Sequence, residues 1–166
     1  MRITEIFFSI QGESSHAGKP CVFVRLTGCS LRCVYCDTKY AYTGGREMTL
    51  DEVLSAVGGY RAKLVEVTGG EPLEQEEVYP LMRSLLDRGY SVMLETGGHV
   101  NIGRVPKPVI KIIDIKCPDS HESHTVCWDN GADFAPEFLR DMVLQQASRP
   151  PDGTTLQEDS LSKKAA

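Results

Sequence analysis

The 166-residue sequence predicts an α/β fold, in which a mostly parallel sheet is covered on its outside by helices. Three observations predict this fold. Short runs rich in β-branched and aromatic residues recur along the chain, amphipathic stretches with an apolar period of about 3.6 separate them, and polar segments that contain glycine follow the runs. Strands that alternate with helices favour a parallel sheet, because each helix carries the chain back to the start of the next strand.

The first two predicted strands are the runs "ITEIFFSI" and "PCVFVRL". A polar loop that contains cysteines and glycines follows them and extends to about Arg46. The first helix is predicted over "TLDEVLSAV". In this segment Thr49 and Glu52 have the spacing of a capping box, and apolar residues follow at helical spacing.

The third predicted strand, "KLVEV", stops at the polar segment "TGGEP". The second helix is predicted from Gln75 to Arg88, because apolar residues recur there on one face and Gly89 is a natural stop. The strands "YSVMLET" and "VIKIIDIK" complete the pattern, and the turn-rich connection "GGHVNIGRVPKP" separates them.

The C-terminal part of the chain differs in composition. One helix is predicted within "FAPEFLRDMVLQQA", which begins at Phe134. The segment after it has few apolar residues and many residues that break helices and strands, which predicts disorder. We therefore expect one domain over residues 1–147 and a disordered tail over residues 148–166.

Composition narrows the possible functions. An apolar content of 41% and a charged content of 25% are ordinary for a soluble globular protein. The net charge of −5 gives no reason to expect a nucleic-acid or membrane partner, and no apolar run approaches the length of a membrane span. The N-terminal residues lack the apolar core of a signal peptide. We therefore expect a cytoplasmic protein whose reduced cysteines serve as metal ligands or catalysts.

The polar motifs fall at the ends of predicted strands. The segments "TGGEP", "ETGG" and "DIKCPD" lie at or directly after three strands, and the cysteine loop follows a fourth. The carboxyl ends of parallel strands meet at one rim, where α/β proteins bind their ligands. The sequence therefore predicts a single ligand site to which all of these loops contribute.

The segment "CSLRCVYCDT" holds Cys29, Cys33 and Cys36 with the spacing C-x3-C-x2-C. A closed structural zinc site takes four ligands, so three thiolates leave one position of a metal centre open. A zinc site completed by Cys117, Cys127 or one of the four histidines is an alternative.

The remaining cysteine and the histidines have ordinary interpretations. Cys21 alternates with apolar residues in a predicted strand, so we interpret it as a small buried apolar residue. His121 and His124 are interpreted as loop residues, and His16 and His99 as exposed side chains.

Together these motifs resemble the radical S-adenosylmethionine (SAM) superfamily. The most specific feature is the C-x3-C-x2-C spacing with an aromatic residue before the third cysteine, and "GGEP" and "DIK" follow at later strand ends. The resemblance implies an incomplete (βα) barrel and a [4Fe–4S] cluster held by Cys29, Cys33 and Cys36, with SAM on the fourth iron. In that superfamily the reduced cluster cleaves SAM, and the resulting radical abstracts hydrogen from the substrate.

The resemblance also assigns residues to the binding of SAM. They are Tyr35, Cys36, Asp37, Gly69, Gly70, Glu71, Thr96, Gly97 and Lys116. Tyr35 would flank the adenine, and Thr96 and Gly97 would border the ribose. Gly69, Gly70 and Glu71 would meet the methionine amino group through backbone oxygens, and Lys116 would meet the methionine carboxylate.

Longer stretches resemble a narrower family, the 7-carboxy-7-deazaguanine synthases. The matching pieces include "QGE", "RLTGC", "CDT", "VTGGEP", "LETGG" and "DIKCP", and they run from residue 1 to about 118. This family converts 6-carboxy-5,6,7,8-tetrahydropterin to 7-carboxy-7-deazaguanine, with ring contraction and loss of ammonia, in the biosynthesis of queuosine and other 7-deazapurines. After about Asn130 the sequence departs from the family and shows no counterpart of its final β-rich segment, which predicts an altered or truncated C-terminal part.

The narrower resemblance implies a substrate site and a magnesium ligand. The implied substrate residues are Ile10, Gln11, Gly12, Arg25 and Thr68. The guanidinium of Arg25 would pair with the substrate carboxylate through two hydrogen bonds. Thr38 would bind Mg²⁺, and substrate oxygens and water would complete the coordination. No side chain is expected to act as a catalytic acid or base, because the cluster and SAM carry the chemistry.

Partners and rival functions complete the expectations. The resemblance implies a small-molecule pterin substrate, a flavodoxin- or ferredoxin-type reductant and a homodimer. A glycyl-radical activase would use the same cofactors on a partner protein, although "QGE" and "CDT" argue against it. A zinc- or cluster-binding module without catalysis would need only the cysteines.

Overall fold

The strands are close to those that the sequence predicts. The structure, a computed structural model, describes residues 1–133. Its strands are β1 (Arg2–Ile10), β2 (Pro20–Leu26), β3 (Arg46–Glu47), β4 (Leu64–Gly69), β5 (Ser91–Thr96) and β6 (Ile110–Ile113). Within the described residues they form one sheet in the order β3-β1-β2-β4-β5-β6.

Most of the sheet is parallel. β2 pairs with β4, β4 with β5 and β5 with β6 in parallel, whereas β1 pairs antiparallel with both β2 and β3. A short connection between β1 and β2 suits an antiparallel pair, and the parallel pairs need longer crossovers. The predicted α/β fold with a mostly parallel sheet is therefore confirmed.

The helices of the described residues lie in the crossovers that follow β2 and β4. α1 (Leu50–Gly58) begins at the predicted position. The Thr49 side chain accepts a hydrogen bond from the backbone N–H of Glu52, and the Glu52 side chain accepts one from the backbone N–H of Thr49. The predicted capping box is confirmed. Neither described helix is both long enough and apolar enough to cross a lipid bilayer.

The second helix, α2 (Val78–Asp87), begins later than the predicted start at Gln75. Pro72–Glu74 form a separate 3-10 turn, and Gln75 that follows has an extended backbone. The side-chain amide of Gln75 donates hydrogen bonds to the backbone carbonyls of Arg2 and Thr27. Gln75 therefore ties this turn to the sheet instead of opening the helix.

The last predicted strand is shorter than expected. β6 ends at Ile113, although the backbone N–H of Asp114 still donates to the carbonyl of Thr96 on β5. Short 3-10 turns follow at Pro118–Ser120, Ser123–Thr125 and Trp128–Asp133. The helix predicted from Phe134, the end of the predicted domain and the predicted tail over residues 148–166 lie outside the described residues.

Apolar side chains cover both faces of the sheet. The outer face, which packs against the helices, carries Val22, Val24, Leu26, Val65, Val67, Val92 and Leu94. On the inner face a smaller cluster contains Cys21, Phe23, Leu64 and Met93. This division follows from the alternation of side chains along a strand. Cys21 is fully buried, so its interpretation as a small apolar residue is confirmed.

The inner face becomes polar toward the carboxyl ends of the parallel strands. Two residues beyond Phe23 on β2 lies Arg25, and the register of the sheet sets it beside Thr68 on β4. Glu95 on β5 has the same phase, two residues beyond Met93. The alternation of side chains therefore brings a guanidinium, a hydroxyl and a carboxyl group to the same rim of the sheet.

Candidate functional site

A cavity of about 500 Å³ opens at the carboxyl ends of β2, β4 and β5. Of the residues that the sequence assigns to a site, those that line it are Gln11, Gly12, Arg25, Cys29, Cys33, Tyr35, Cys36, Asp37, Thr38, Thr68, Gly69, Gly70, Glu71, Thr96, Gly97 and Lys116. The cysteine loop, the glycine-rich strand ends and the implied substrate residues thus share one space, as the rim argument predicts.

Ile10 is the exception among the predicted site residues. Its side chain is 65% exposed and does not line the cavity. Neighbouring residues of an extended chain point in opposite directions, and Gln11, which is buried, takes the inward position. Contrary to the expectation for a substrate residue, the side chain of Ile10 does not line the cavity.

The cysteine loop is held against the strand end that follows β4. The backbone N–H of Glu71 donates to the carbonyl of Gly28 at 2.7 Å, and the N–H of Gly28 donates to the carbonyl of Ala41 at 2.8 Å. A Cβ atom on Gly70 would lie 2.1 Å from the oxygen of Gly28 and 2.8 Å from the Cβ of Cys29. The close approach of the two loops thus requires glycine at position 70.

The thiols of the loop are partly withdrawn from water. Burial raises the pKa of Cys29 to about 11, and burial also raises the pKa of Cys33, although the nearby ammonium of Lys116 opposes that rise. Tyr42, which also lines the cavity, is hydrogen-bonded to Cys36, and this bond raises the pKa of Tyr42 to about 12. The thiol of Cys29 is therefore protonated at neutral pH, and metal binding must release its proton.

The donor set fits an iron–sulfur cluster better than a closed zinc site. Three free thiols line the cavity, and soft thiolates are the ligands that such clusters use. The other cysteines of the described residues do not line the cavity: Cys21 is buried in the inner apolar face, Cys127 is near Asn101, and Cys117 contacts the hydroxyl of Tyr35. Among residues 1–133 no group of three or more His, Cys, Asp or Glu side chains is gathered as a metal site, so the thiols must turn toward each other when they bind one.

Glu71 joins the two glycine-rich strand ends. Its fully buried carboxylate accepts hydrogen bonds from the N–H of Leu73 at 3.0 Å, the N–H of Gly97 at 2.9 Å and the hydroxyl of Thr96 at 2.9 Å. Burial raises the pKa of Glu71, and the bonds that it accepts oppose the rise. The side chain of Glu71 is therefore fully engaged within the protein.

Lys116 and Tyr35 also line the cavity. Lys116 donates a hydrogen bond to the carboxylate of Asp114, and its side chain is only 13% exposed. Burial lowers the pKa of Lys116, but the bond to Asp114 and the charge of Asp114, with further contributions from Cys33 and Tyr35, together outweigh that effect, and the net shift is upward. The hydroxyl of Tyr35 lies 3.3 Å from the sulfur of Cys117. The site thus keeps a charged ammonium beside the cysteine loop.

Arg25 is held in place by one nitrogen. Its Nε donates to the carboxylate of Glu5 at 2.9 Å, and its guanidinium lies over the rings of Phe7 and Tyr40 at 5.9 and 5.8 Å. Tyr40 donates its hydroxyl hydrogen to the same carboxylate of Glu5 at 2.9 Å. Within the described part of the chain the two terminal nitrogens make no hydrogen bond, so they can pair with a ligand carboxylate.

Thr38 and Asp37 form a small oxygen pair on the cavity wall. The hydroxyl of Thr38 donates to the carboxylate of Asp37 at 2.7 Å. A hydroxyl and one carboxylate are too few ligands for an all-protein magnesium site, which agrees with a metal that keeps water and substrate oxygens.

Sequence reasoning missed seven residues that line the cavity: Glu13, Phe23, Leu31, Tyr42, Glu66, Glu95 and Asp114. A signal for one of them was present, because Glu66 interrupts the apolar run "LVEV" and has the same alternation phase as Thr68. Glu66 is 3% exposed, and the side-chain amide of Gln11 donates a hydrogen bond to it.

The expectation that His99 is exposed is wrong. Its side chain is 10% exposed and lies between two carboxylates, with Nε2 3.1 Å from Glu74 and Nδ1 3.6 Å from Glu71. The physical reason is the turn that precedes it. Gly98 adopts a φ of 72°, and this turn of the backbone directs the imidazole of His99 against the protein.

Comparison with known proteins agrees with this geometry. The model of the radical SAM superfamily matches residues 23–113, a segment that contains the cysteine loop and the glycine-rich ends of β4 and β5. The chain belongs to the radical SAM superfamily. This membership also bears out the incomplete (βα) barrel that the sequence predicts. A [4Fe–4S] cluster and SAM are the cofactors of that superfamily, and the residues described above fit them.

Individual relatives carry a more specific name than the superfamily. The chain is 52% identical over 128 residues to a 7-carboxy-7-deazaguanine synthase of Koribacter versatilis. The alignment covers 74% of this chain and 55% of that protein. It is 54% identical over 120 residues to a protein of the same name from Chlorobaculum tepidum. This alignment covers 72% of this chain and 54% of that protein. A crystal structure of QueE from Escherichia coli matches with a TM-score of 0.62 and 29% identity, over 68% of this chain and 59% of that one.

These alignments also fix how much of the relatives is represented. The chain spans about half the length of the curated relatives it matches.

Proposed function

We propose that this chain acts as a 7-carboxy-7-deazaguanine synthase, converting 6-carboxy-5,6,7,8-tetrahydropterin to 7-carboxy-7-deazaguanine with ring contraction and loss of ammonia. The observation that carries the proposal is the shared cavity. This cavity is lined by the three cysteines, by Arg25 and by the polar side chains of the inner face. Relatives that are 52% and 54% identical carry the name of this activity.

The cofactors would be held at one wall of the cavity. Cys29, Cys33 and Cys36 supply thiolates to the cluster, and the backbone of the segment from Gly69 to Glu71 meets the methionine amino group of SAM. Lys116 meets the methionine carboxylate, which agrees with its position in the cavity lining. When bound, the cluster and SAM supply one-electron cleavage and hydrogen abstraction. The chain's own contribution is to keep SAM, the cluster and the substrate in one partly enclosed space.

The substrate would occupy the inner face beside the cofactors. Arg25 is braced by Glu5 and Tyr40, so little side-chain entropy is lost when its terminal nitrogens pair with the substrate carboxylate. Thr68 gives its hydroxyl hydrogen to Glu95 at 2.7 Å, which leaves its oxygen free to accept from the pterin. Gln11 uses its side chain for Glu66, so it meets the substrate through its backbone, as does Gly12.

Magnesium would lie where the substrate carboxylate approaches Thr38. The Thr38 hydroxyl and the neighbouring carboxylate of Asp37 face the same cavity and supply two protein oxygens. Mg²⁺ prefers an octahedron of oxygens and keeps several waters, so the substrate would complete the site. The ion would then fix the orientation of the carboxylated ring.

Two exposed apolar surfaces suit the partners in the proposal. Val34, Tyr35 and Tyr40 are each more than half exposed beside the cysteine loop, and they offer contact for a flavodoxin- or ferredoxin-type reductant. Phe8 and Ile10 are exposed on β1 at 50% and 65%. Apolar surface of this kind on a strand near the sheet edge supports a homodimer.

Anaerobic reconstitution tests the proposal directly. The 166-residue chain is loaded with iron and sulfide and incubated with SAM, dithionite, Mg²⁺ and the carboxy-tetrahydropterin, and the products are identified by mass spectrometry. We expect 5′-deoxyadenosine and 7-carboxy-7-deazaguanine, and neither from Cys33→Ala. Cleavage of SAM without any deazaguanine would contradict the assigned substrate. Zinc retained in place of iron would contradict the cluster.

A further inference from the structure

We infer that Glu66 is a positioning residue of the substrate site, which as a neutral carboxylic acid donates a hydrogen bond to Glu95 and holds that carboxylate toward the cavity. The consequence for the ligand rests on the proposed function, whereas the acid–carboxylate pair itself is a property of the ligand-free chain. Both side chains line the cavity, and neither is among the residues that the family resemblance implies.

The sheet register brings the two carboxyl groups together. Glu66 on β4 lies opposite Phe23 on β2 and Met93 on β5, in the inner apolar layer. Glu95 follows Met93 by two residues and therefore points to the same face, one diagonal step from Glu66. Long side chains can meet across such a diagonal, and a hydrogen bond with Glu95 is one of the causes that raise the pKa of Glu66.

The hydrogen-bond partners determine where the proton lies. A carboxylate only accepts hydrogen bonds, so a bond between two carboxyl groups requires a proton on one of them. Glu95 already uses one oxygen as an acceptor, because it accepts the hydroxyl hydrogen of Thr68 at 2.7 Å. Glu66 is the deeper of the two, at 3% exposed, and Gln11 donates to one of its oxygens. Its other oxygen is then the donor to Glu95.

The electrostatic surroundings agree with this placement. Burial raises the pKa of Glu66 to about 7, the charge of Glu95 adds to the rise, and the bond from Gln11 opposes it. The other titratable groups that face Glu66 are Glu13 from the loop after β1 and Cys21 from β2. The pKa of Glu13 is itself raised, chiefly by the charge of Glu95, because a negative charge nearby opposes ionisation.

The arrangement has a direct consequence for ligand binding. With the proton on Glu66, Glu95 is a single fixed carboxylate that is oriented by Thr68 and Glu66. A pterin ring presents adjacent N–H donors, and an oriented carboxylate can accept from them without first being ordered. When pH rises through about 7, Glu66 loses its proton, the two carboxylates repel each other, and Glu95 is no longer held.

The first experiment measures the ligand-free chain. The protein is labelled with glutamate carrying ¹³C at the side-chain carboxyl, and the Glu66 signal is assigned by its loss in Glu66→Gln. We expect this signal to report a neutral acid at pH 6 and to titrate near neutral pH. We also expect Glu95→Gln to shift the titration to lower pH, because it removes the neighbouring charge. A Glu66 carboxyl that is already ionised at pH 6 overturns the inference.

The second experiment measures ligand binding. The affinity for the carboxy-tetrahydropterin is determined from pH 6 to 8 in the presence of SAM and without reductant. We expect the wild-type affinity to fall at least about tenfold more than that of Glu66→Gln, whose amide keeps a neutral donor. Glu66→Leu removes the donor and should bind weakly at every pH. The same pH dependence in wild type and Glu66→Gln overturns the positioning role.

Failure of the proposed function gives a different result from failure of the inference. A wild-type chain that does not bind the pterin at any pH contradicts the assigned substrate and with it the positioning role. The ¹³C titration then still decides whether Glu66 and Glu95 share a proton. Glu76→Gln, which changes an exposed glutamate outside the cavity lining, controls for the substitution itself.

Discussion

The hydroxyl group of Thr96 lies 2.9 Å from both carboxylate oxygens of the fully buried Glu71. Thr96 ends β5 and Glu71 follows β4, so this contact joins two strand ends that line the cavity. A buried carboxylate with several donors is costly to alter, because each donor that loses its acceptor stays without water.

Glu71→Gln should therefore destabilise the chain. The amide replaces one acceptor oxygen with a donor that faces Leu73 or Gly97 and Thr96. We expect the free energy of unfolding to fall by about 1–3 kcal/mol, measured by urea denaturation. Glu76→Gln makes the same chemical change in a surface ion pair with Arg104 and should have a much smaller effect. Equal losses in the two variants would contradict the role of Glu71.

Cys33→Ala should abolish assembly of the iron–sulfur cluster. The thiol of Cys33 lines the cavity, whereas that of Cys21 is buried in the inner apolar face. Cys21→Ala is therefore the matched control and should keep its iron, although it removes one buried sulfur. Iron and sulfide content and the visible spectrum after anaerobic reconstitution measure the difference. Equal loss of iron from both variants would sink the assignment of the ligands.

Lys116→Ala should weaken SAM binding and leave the cluster intact. A charge-assisted contact with the methionine carboxylate accounts for an effect of roughly tenfold or more in affinity. Lys111→Ala removes an ammonium from β6 that bonds to the carbonyl of Val109 and does not line the cavity, so it should bind SAM normally. Equilibrium binding of SAM to the reconstituted protein is the measurement. Unchanged affinity in Lys116→Ala would mean that this lysine serves only its bond to Asp114.

Thr38→Ala should reduce the stimulation of product formation by Mg²⁺ while SAM affinity stays nearly unchanged. The hydroxyl of Thr38, which contacts Asp37, is the proposed magnesium ligand, and it has no proposed contact with SAM. Thr43→Ala, in the exposed end of the following 3-10 turn, is the control. The rate of deazaguanine formation is measured against Mg²⁺ concentration. A full magnesium response in Thr38→Ala would remove Thr38 from the metal site.

Glu66→Gln should stabilise the chain more at pH 8 than at pH 5. The folded-state pKa of Glu66 is raised to about 7 from an unfolded value near 4.5. The native state therefore binds the proton more tightly than the unfolded state, and stability falls as pH rises between these values. A neutral amide removes this cost, which is about 1–3 kcal/mol above pH 7. Urea denaturation of both proteins at both pH values measures it, and a gain that is independent of pH would contradict the shift.

Local patterns were sufficient for much of the fold. The capping box of Thr49 and Glu52 fixed the start of α1, because both of its hydrogen bonds are made within four residues. The run "PCVFVRL" coincides with β2, since β-branched and aromatic residues suit a buried strand whatever its neighbours. The start of α2 was missed because the side chain of Gln75 bonds to Arg2 and Thr27, which are distant in sequence.

The sequence by itself determined which groups bind metal, through the spacing of Cys29, Cys33 and Cys36. It also supplied glycine at position 70, where two loops approach each other too closely for a side chain. Tertiary structure decided which polar side chains meet. The register between β4 and β5 set Glu66 opposite Met93, one diagonal step from Glu95, and the turn at Gly98 buried His99. The physical reason is that alternation along one strand gives the face of a residue, whereas its partner depends on pairing between strands far apart in the chain.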